Sequence, residues 1–232
     1  MLDGAPIVVV ASGLDDASRN GKTGAMVQTW IIRSDIKPLD AAKSGGDSSI
    51  CGDCIHRGTL VGGMMTARSC YVNLWQAPRN IYESYHRGIY SDTWDSETFR
   101  DLKVRLGSYG DPAAVPLWIW ERVLRYAAGN TGYTHQWRRF PELAQWCMAS
   151  CDSELDHAHA KLLGFRTFRV KKLAAPSLRR EVTCGASEEM GHRTRCDLCM
   201  ACGGKSAKAK ADIVISVHGS RALQNNFTKR AA

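Results

Sequence analysis

The run from Cys184 to Cys202 constrains this chain more than any other stretch. Cys196, Cys199 and Cys202 are spaced two residues apart, with eleven residues between Cys184 and Cys196. Thiolates held this closely repel one another unless a cation or a cluster shares their charge. Zinc ribbons bring cysteines as separated CxxC pairs. A CxxCxxC run with one distant cysteine instead suits three corners of an iron–sulfur cube plus the fourth. The first expectation is therefore a [4Fe–4S] cluster on Cys184, Cys196, Cys199 and Cys202, with zinc as the alternative. His192, inside the same block, is a substitute ligand.

A second group stands earlier in the chain. Cys51-Gly-Asp-Cys54 is a metal knuckle in type, and Cys70 follows across a Gly/Met-rich loop. These three make a second candidate site, again cluster or zinc, that lacks an obvious fourth ligand. His56, Cys147, Cys151 and an exogenous group are the options, and Cys147 fits if residues 146–150 are a strand pointing it inward. A packed core thiol is the competing reading for Cys147, and a small buried apolar residue for Cys70.

The rest of the chain supplies a scaffold. Ile7–Ala11 and Met26–Ile32 read as strands. So do 104–107, 133–135, 146–150, 165–170, 181–184 and 212–217. A helical turn over 35–42 and helices over 71–87, 117–127 and 153–163 fall among them, with Asp152 or Ser153 as a cap and Gly164 as a stop. Gly129–Gly132 reads as the end of a helix, 203–210 as a flexible basic linker, and 224–232 as a frayed segment. Strand–helix alternation predicts an α/β fold with a parallel sheet, open or closed as a (β/α) barrel. The expectation is one domain over residues 1–232, with cysteine-rich insertions at about 44–73 and 184–204. In such folds the carboxyl ends of the strands carry the site. Asp111 and His135, each just after a strand, are the expected acid/base pair, against a turn residue and a core histidine as the plain readings. His157 and His159, two apart on a helix, do not face one metal.

Charge is uneven. Residues 161–232 hold 15 Lys/Arg against 5 Asp/Glu, whereas the first 160 hold 16 against 18. A basic third fits contact with nucleic acid, a nucleotide or an acidic host protein. Gly21-Lys22-Thr23 lacks the upstream glycine of a phosphate loop, but Lys22 remains a candidate anion contact. Trp75, Tyr82 and Tyr85 either stack bases or form the packed face of a helix. No apolar run approaches the roughly 18 residues of a membrane span. The start does not read as a signal peptide. Nine cysteines in a non-secreted chain point to a reducing compartment and to metal rather than disulfides.

Several phrases also carry a resemblance. They are Lys22-Thr-Gly24 with Gln28-Thr-Trp30, Ser49–Cys54, Arg68–Asn73, Arg105–Pro112, Gly132–Trp137, Cys147–Ser150 and the 184–204 block. In order and spacing they resemble a family of uncharacterised proteins encoded by tailed bacteriophages and prophages. That resemblance implies a viral origin and the cytoplasm of a bacterial host, and it brings no activity with it. A looser likeness is to radical S-adenosylmethionine barrels, which pair a partial (β/α) barrel with cysteine-bound clusters. Their CxxxCxxC loop after the first strand is absent here, although Cys51, Cys54 and Cys70 leave one iron open at another spacing. S-adenosylmethionine is thus a further cofactor option.

Three functions follow as expectations. The first is an iron–sulfur enzyme acting on nucleic acid or nucleotides at the mouth of the barrel. The second is a non-enzymatic, metal-stapled basic protein that binds nucleic acid or a host protein during infection, the metal contributing folding energy only. A redox module is a third. The number of polar groups after strands tips the balance towards the enzyme.

Overall fold

The computed structural model describes residues 2–16 and 20–230. Residues 17–19 of the expected polar loop, and 231–232 of the expected frayed segment, lie outside the described residues. Ten strands form: β1 (Ile7–Ser12), β2 (Val27–Arg33), β3 (Thr59–Val61), β4 (Met64–Thr66), β5 (Lys103–Tyr109), β6 (Gly129–Thr134), β7 (Met148–Cys151), β8 (Thr167–Lys171), β9 (Glu181–Thr183) and β10 (Asp212–Ser216). The helices are α1 (Pro38–Ser44), α2 (Ser48–Cys51), α3 (Ala77–His86), α4 (Leu117–Leu124), α5 (Glu154–Leu162), α6 (Cys196–Cys199) and α7 (Arg221–Arg230).

Eight strands make one sheet in the order β1-β2-β5-β6-β7-β8-β10-β9, while β3 and β4 pair as a separate hairpin. Among the described residues only β1 runs antiparallel to its neighbour, and every other pairing in the sheet is parallel. Each crossover therefore returns the chain to the same edge, and the strand carboxyl ends collect on one side. The α/β architecture is as expected. A closed barrel is not formed among the described residues, because β1 and β9 end the sheet without pairing to each other.

Register separates the two faces of the sheet. Arg105 sits opposite Thr131, Tyr133 opposite Met148, and Ser150 opposite Phe168, so these side chains share one face. The other face carries Val104 and Leu106, buried with Trp120 and Val123 of α4. Trp120 is fully enclosed and its indole N–H donates to the Pro112 carbonyl at 2.9 Å. Burying a side chain of that size stabilises the fold by about 3 kcal/mol. Ala149, Cys151 and Phe165 pack with Ala160 of α5. Ser153, not Asp152, caps that helix, accepting from Asp156 N–H at 3.1 Å.

A bulge interrupts the β2–β5 ladder. Gln28 pairs with Arg105, yet Trp30 pairs with Tyr109, so β5 holds two extra residues. The Thr29 hydroxyl fills the gap, donating to Arg105 O and accepting from Gly107 N–H. Gly107 has φ +67, and a Cβ there would lie 2.6 Å from the Gly110 carbonyl. Bulges of this kind re-aim the residues that follow them.

Three expectations are corrected. Residues 129–132 begin β6 instead of ending a helix, because they pair in parallel with Lys103–Leu106 of β5; Gly132 sits where a Cβ would meet Cys147 Sγ at 2.8 Å. The 203–210 segment is not a loose linker. Gly203 and Gly204 are buried, and the Arg166 guanidinium donates to the carbonyls of Ala201, Gly204 and Ala211. Residues 221–230 form α7, with Phe227 only 2% exposed. No helix among the described residues is long and apolar enough to cross a membrane.

Candidate metal centres

Cys184 follows β9, with its N–H on Val214 O. Cys196 and Cys199 open and close α6, and Cys202 lies one turn beyond. The β1–β2 loop holds α6 in place: Lys22 O accepts from Cys196 N–H, and Thr23 O accepts from Asp197 N–H. Asp197 returns the contact by accepting from Ala25 N–H at 3.1 Å. Gly24 permits this approach, since its φ is +64 and a Cβ would lie 2.2 Å from the Asp197 carboxyl carbon. On the far side Cys202 O accepts from Gly132 N–H.

The four thiols act on one another. Burial pushes the Cys202 thiol up to about 12; a hydrogen bond from Tyr133 works against the rise, and Cys184, Cys196 and Cys199 add to it. Cys196 is raised by burial, with Arg105 opposing and Cys184 reinforcing. Such mutual repulsion is relieved by a bound cation or cluster.

The earlier cysteines are held by a second framework. Cys51 ends α2, and the backbone N–H groups of Ser69 and Cys70 both donate to His56 O, tying the two segments together. Gln136 donates to Cys51 O and to Asp53, filling the space beside Gly52, where φ is +60 and a Cβ would lie 2.4 Å from its amide. Beneath them Asp47, fully buried, accepts from Arg57 and Arg68. Burial raises the Cys51 thiol well above its usual range, and Asp47, Cys54 and Cys70 add to that. Cys70 is raised by burial while Arg68 opposes it. Arg68 is thus the local counter-charge to these sulfurs.

Both sets line one cavity of about 210 Å³, together with Lys22, Arg105, Tyr109 and Tyr133. Arg105 projects into it from the bulged strand, 5.3 Å from the Tyr133 ring centre. Burial alone lowers the pKa of Arg105, but Tyr133, Tyr71, Cys196 and Cys202 more than offset this. The Tyr109 hydroxyl is sealed from solvent without a hydrogen-bond partner, near Cys51 and Cys70.

His56, His135 and Asp152 meet at the same end of the cavity. His56 Nε2 lies 2.9 Å from Asp152 Oδ1, and His135 Nε2 lies 3.4 Å from Oδ2. Burial opposes a charge on His135, yet Cys54 and then Asp152 outweigh it and hold its pKa well above the usual value. Burial likewise acts to raise Asp152, but the two imidazoles hold it well below the carboxylate range.

Among the described residues, His56, His135 and Asp152 are the one set of three or more donors that all lie within 4.8 Å of each other; neither cysteine set does.

The remaining candidates separate from these centres. Cys147 is buried on the Leu106 and Gly132 face of the sheet, away from the cavity, so the expected fourth ligand is not there. Cys151 packs with Trp137 and Phe165. His192 bonds to Ala186 O, His157 to Thr167, and His159 stacks edge-on with Trp137. The expected Asp111–His135 side-chain pair does not form. The Asp111 carboxylate accepts from Ala113 N–H, Thr134 Oγ1–H and the backbone N–H of His135, while the His135 ring faces Asp152. Asp111 thus clamps the end of β5 to the end of β6. Trp75 is exposed and Tyr82 buried in the face of α3, which favours packing over stacking for Tyr82.

Arg105, Tyr109 and Tyr133 escaped the sequence reading. Their signal was period-two alternation in β5 and β6, which becomes a face only once the register is known. Comparison with family models, with curated proteins and with solved structures finds no match.

Proposed function

We propose that this protein is an iron–sulfur enzyme whose reaction takes place between two sulfur-ligated centres. The observation that carries the proposal is the convergence of both cysteine sets on one cavity at the carboxyl ends of a parallel sheet. Cys184, Cys196, Cys199 and Cys202 would hold a cluster closed by four thiolates. Cys51, Cys54 and Cys70 would hold a second with one corner free of protein ligands, since Cys147 does not reach it. The clusters would supply electrons and a Lewis-acidic corner.

The chain's own residues do the rest. Arg105 and Lys22 present positive charge to the cavity, and Tyr71, Tyr133 and Phe168 present aromatic surface. That combination suits the phosphate and base of a nucleotide. The Tyr109 hydroxyl can donate to a ligand at the open corner. The likeness to tailed-phage proteins supports an infected bacterium as the setting, and the looser barrel likeness supports S-adenosylmethionine as a second ligand to try.

Anaerobic purification with iron, sulfide and zinc analysis tests this. About eight irons and eight sulfides per chain are expected. Cys202→Ser should remove about half and Cys54→Ser the other half, and a nucleotide or S-adenosylmethionine should shift the electron paramagnetic resonance of the centre that Cys202→Ser spares. Stoichiometric zinc without sulfide overturns the proposal and leaves a metal-stapled binder, which salt-dependent nucleic-acid binding would then test.

A further inference from the structure

His56, His135 and Asp152 come from three separate stretches, the turn after Cys54, the end of β6 and the end of β7. Asp152 is 9% exposed, and the groups that face its carboxylate are the two imidazoles. One of these pairings is complete, His56 Nε2 to Oδ1 at 2.9 Å. The other is not: His135 Nε2 is sealed from solvent, stands 3.4 Å from Oδ2 and makes no hydrogen bond. A buried nitrogen that makes only this long contact is costly, and a cation held among the three donors, which all lie within 4.8 Å of one another, would satisfy it.

The surroundings fit a metal ligand set. Ser69 Oγ lies 2.8 Å from His56 Nδ1, the outer contact that fixes tautomer and ring orientation in metal-bound histidines. Phe227 lies flat against the same ring, centroids 5.7 Å apart and planes within 10°. His135 is held from its backbone by Asp111, which leaves its ring free to serve the cluster of donors. All three residues line the cavity wall.

We propose that His56, His135 and Asp152 form a mononuclear site for a divalent first-row transition metal. Two imidazoles and one carboxylate on one side of an ion leave its remaining positions open, here towards the cavity, for water or an oxygen of the bound substrate. The donors are nitrogen and oxygen, so the site is chemically distinct from the two sulfur centres and goes beyond them. Its neighbour Cys54 places it beside the three-thiol centre, and a cavity occupant touches both.

The test uses anaerobically isolated protein with its iron and sulfide measured, washed with a mild chelator and titrated with Co(II) as the probe. X-ray absorption at the cobalt edge should show about one cobalt per chain with a nitrogen/oxygen shell, imidazole scattering and no sulfur. Asp152→Asn and His56→Gln should each weaken cobalt binding by at least about tenfold, and Ser69→Ala by about tenfold, with iron and sulfide unchanged. Sulfur in the cobalt shell overturns the proposal. So does cobalt affinity indifferent to all three substitutions, or no cobalt retained by protein carrying its full iron. Cobalt bound in a nitrogen/oxygen shell by protein without iron or sulfide upholds this site while the sulfur reading fails. Where Asp152→Asn loses its fold, the wild-type cobalt edge and Ser69→Ala still decide.

Discussion

Gly21 and Gly24 stand three residues apart in one loop, and the structure assigns them opposite sensitivities. Gly24→Ala forces a side chain into φ +64 and sets its Cβ 2.2 Å from the Asp197 carboxyl carbon. The left-handed backbone costs about 1–2 kcal/mol for a residue with a Cβ. Displacing Asp197 breaks its bond with Ala25 N–H, worth roughly another 1–2 kcal/mol with the partner left in a part-buried position. The expected loss is about 2–4 kcal/mol, or roughly 4–16 °C in Tm for a chain of this size. Gly21→Ala meets nothing within 4 Å and has no positive φ, so it should stay within about 0.5 kcal/mol of wild type. Urea unfolding followed by tryptophan fluorescence measures both. With the proposed cluster bound, its iron should be released faster in Gly24→Ala alone, because the loop positions α6 and with it Cys196 and Cys199. Equal stability of the two variants would refute the view that this loop is the seat of the four-thiol centre.

Three further outcomes follow from particular contacts. The side chain of Glu181 is fully enclosed and ion-paired with Arg169 at 2.7 Å; burial acts to raise its pKa, but Arg169 wins and depresses it. Its stabilisation is complete above the unfolded value of about 4.5 and fades as pH falls through the depressed one, so Glu181→Gln should cost about 3–5 kcal/mol at pH 7 and flatten the acid limb, read by urea titration from pH 7 to 3. Cys147→Ala should leave iron and sulfide unchanged and lower stability by roughly 1–2 kcal/mol; metal analysis showing iron loss would restore it as a ligand. Phe227→Ala should cost about 3–5 kcal/mol in thermal unfolding, and near-zero change would return 221–230 to a frayed segment.

Spacing alone singled out the seven cavity cysteines, because ligand geometry is written locally, two residues at a time. Cys147 was harder. As a strand residue it had two faces to choose between, and the choice was made by Gly132 on the next strand, which no local pattern reports. Gly129 and Gly132 read as breakers because glycine usually is one; at Gly132 a neighbouring sulfur needed the vacant Cβ position, and Gly129 takes φ +152. Arg166 shows the same limit, since an arginine looks solvated until three carbonyls from the distant 201–211 segment close around it. Asp111 was legible as a turn residue before Pro112, and its bond from Ala113 N–H fills that local role, whereas its bonds from Thr134 and His135 come from the next strand, which no local pattern reports.

The placement of α7 sets an order of events. Asn226 donates to Arg68 O across 158 residues of chain, and Arg230 reaches Ile55 O across 175. On the ribosome, the segment carrying Cys51, Cys54 and Cys70 therefore emerges long before the helix that covers it. The four-thiol set is complete once Cys202 has been made, also ahead of that helix. Phe227 therefore reaches His56 only after every cysteine of both sets has been made, so α7 is the last element to pack beside the first set.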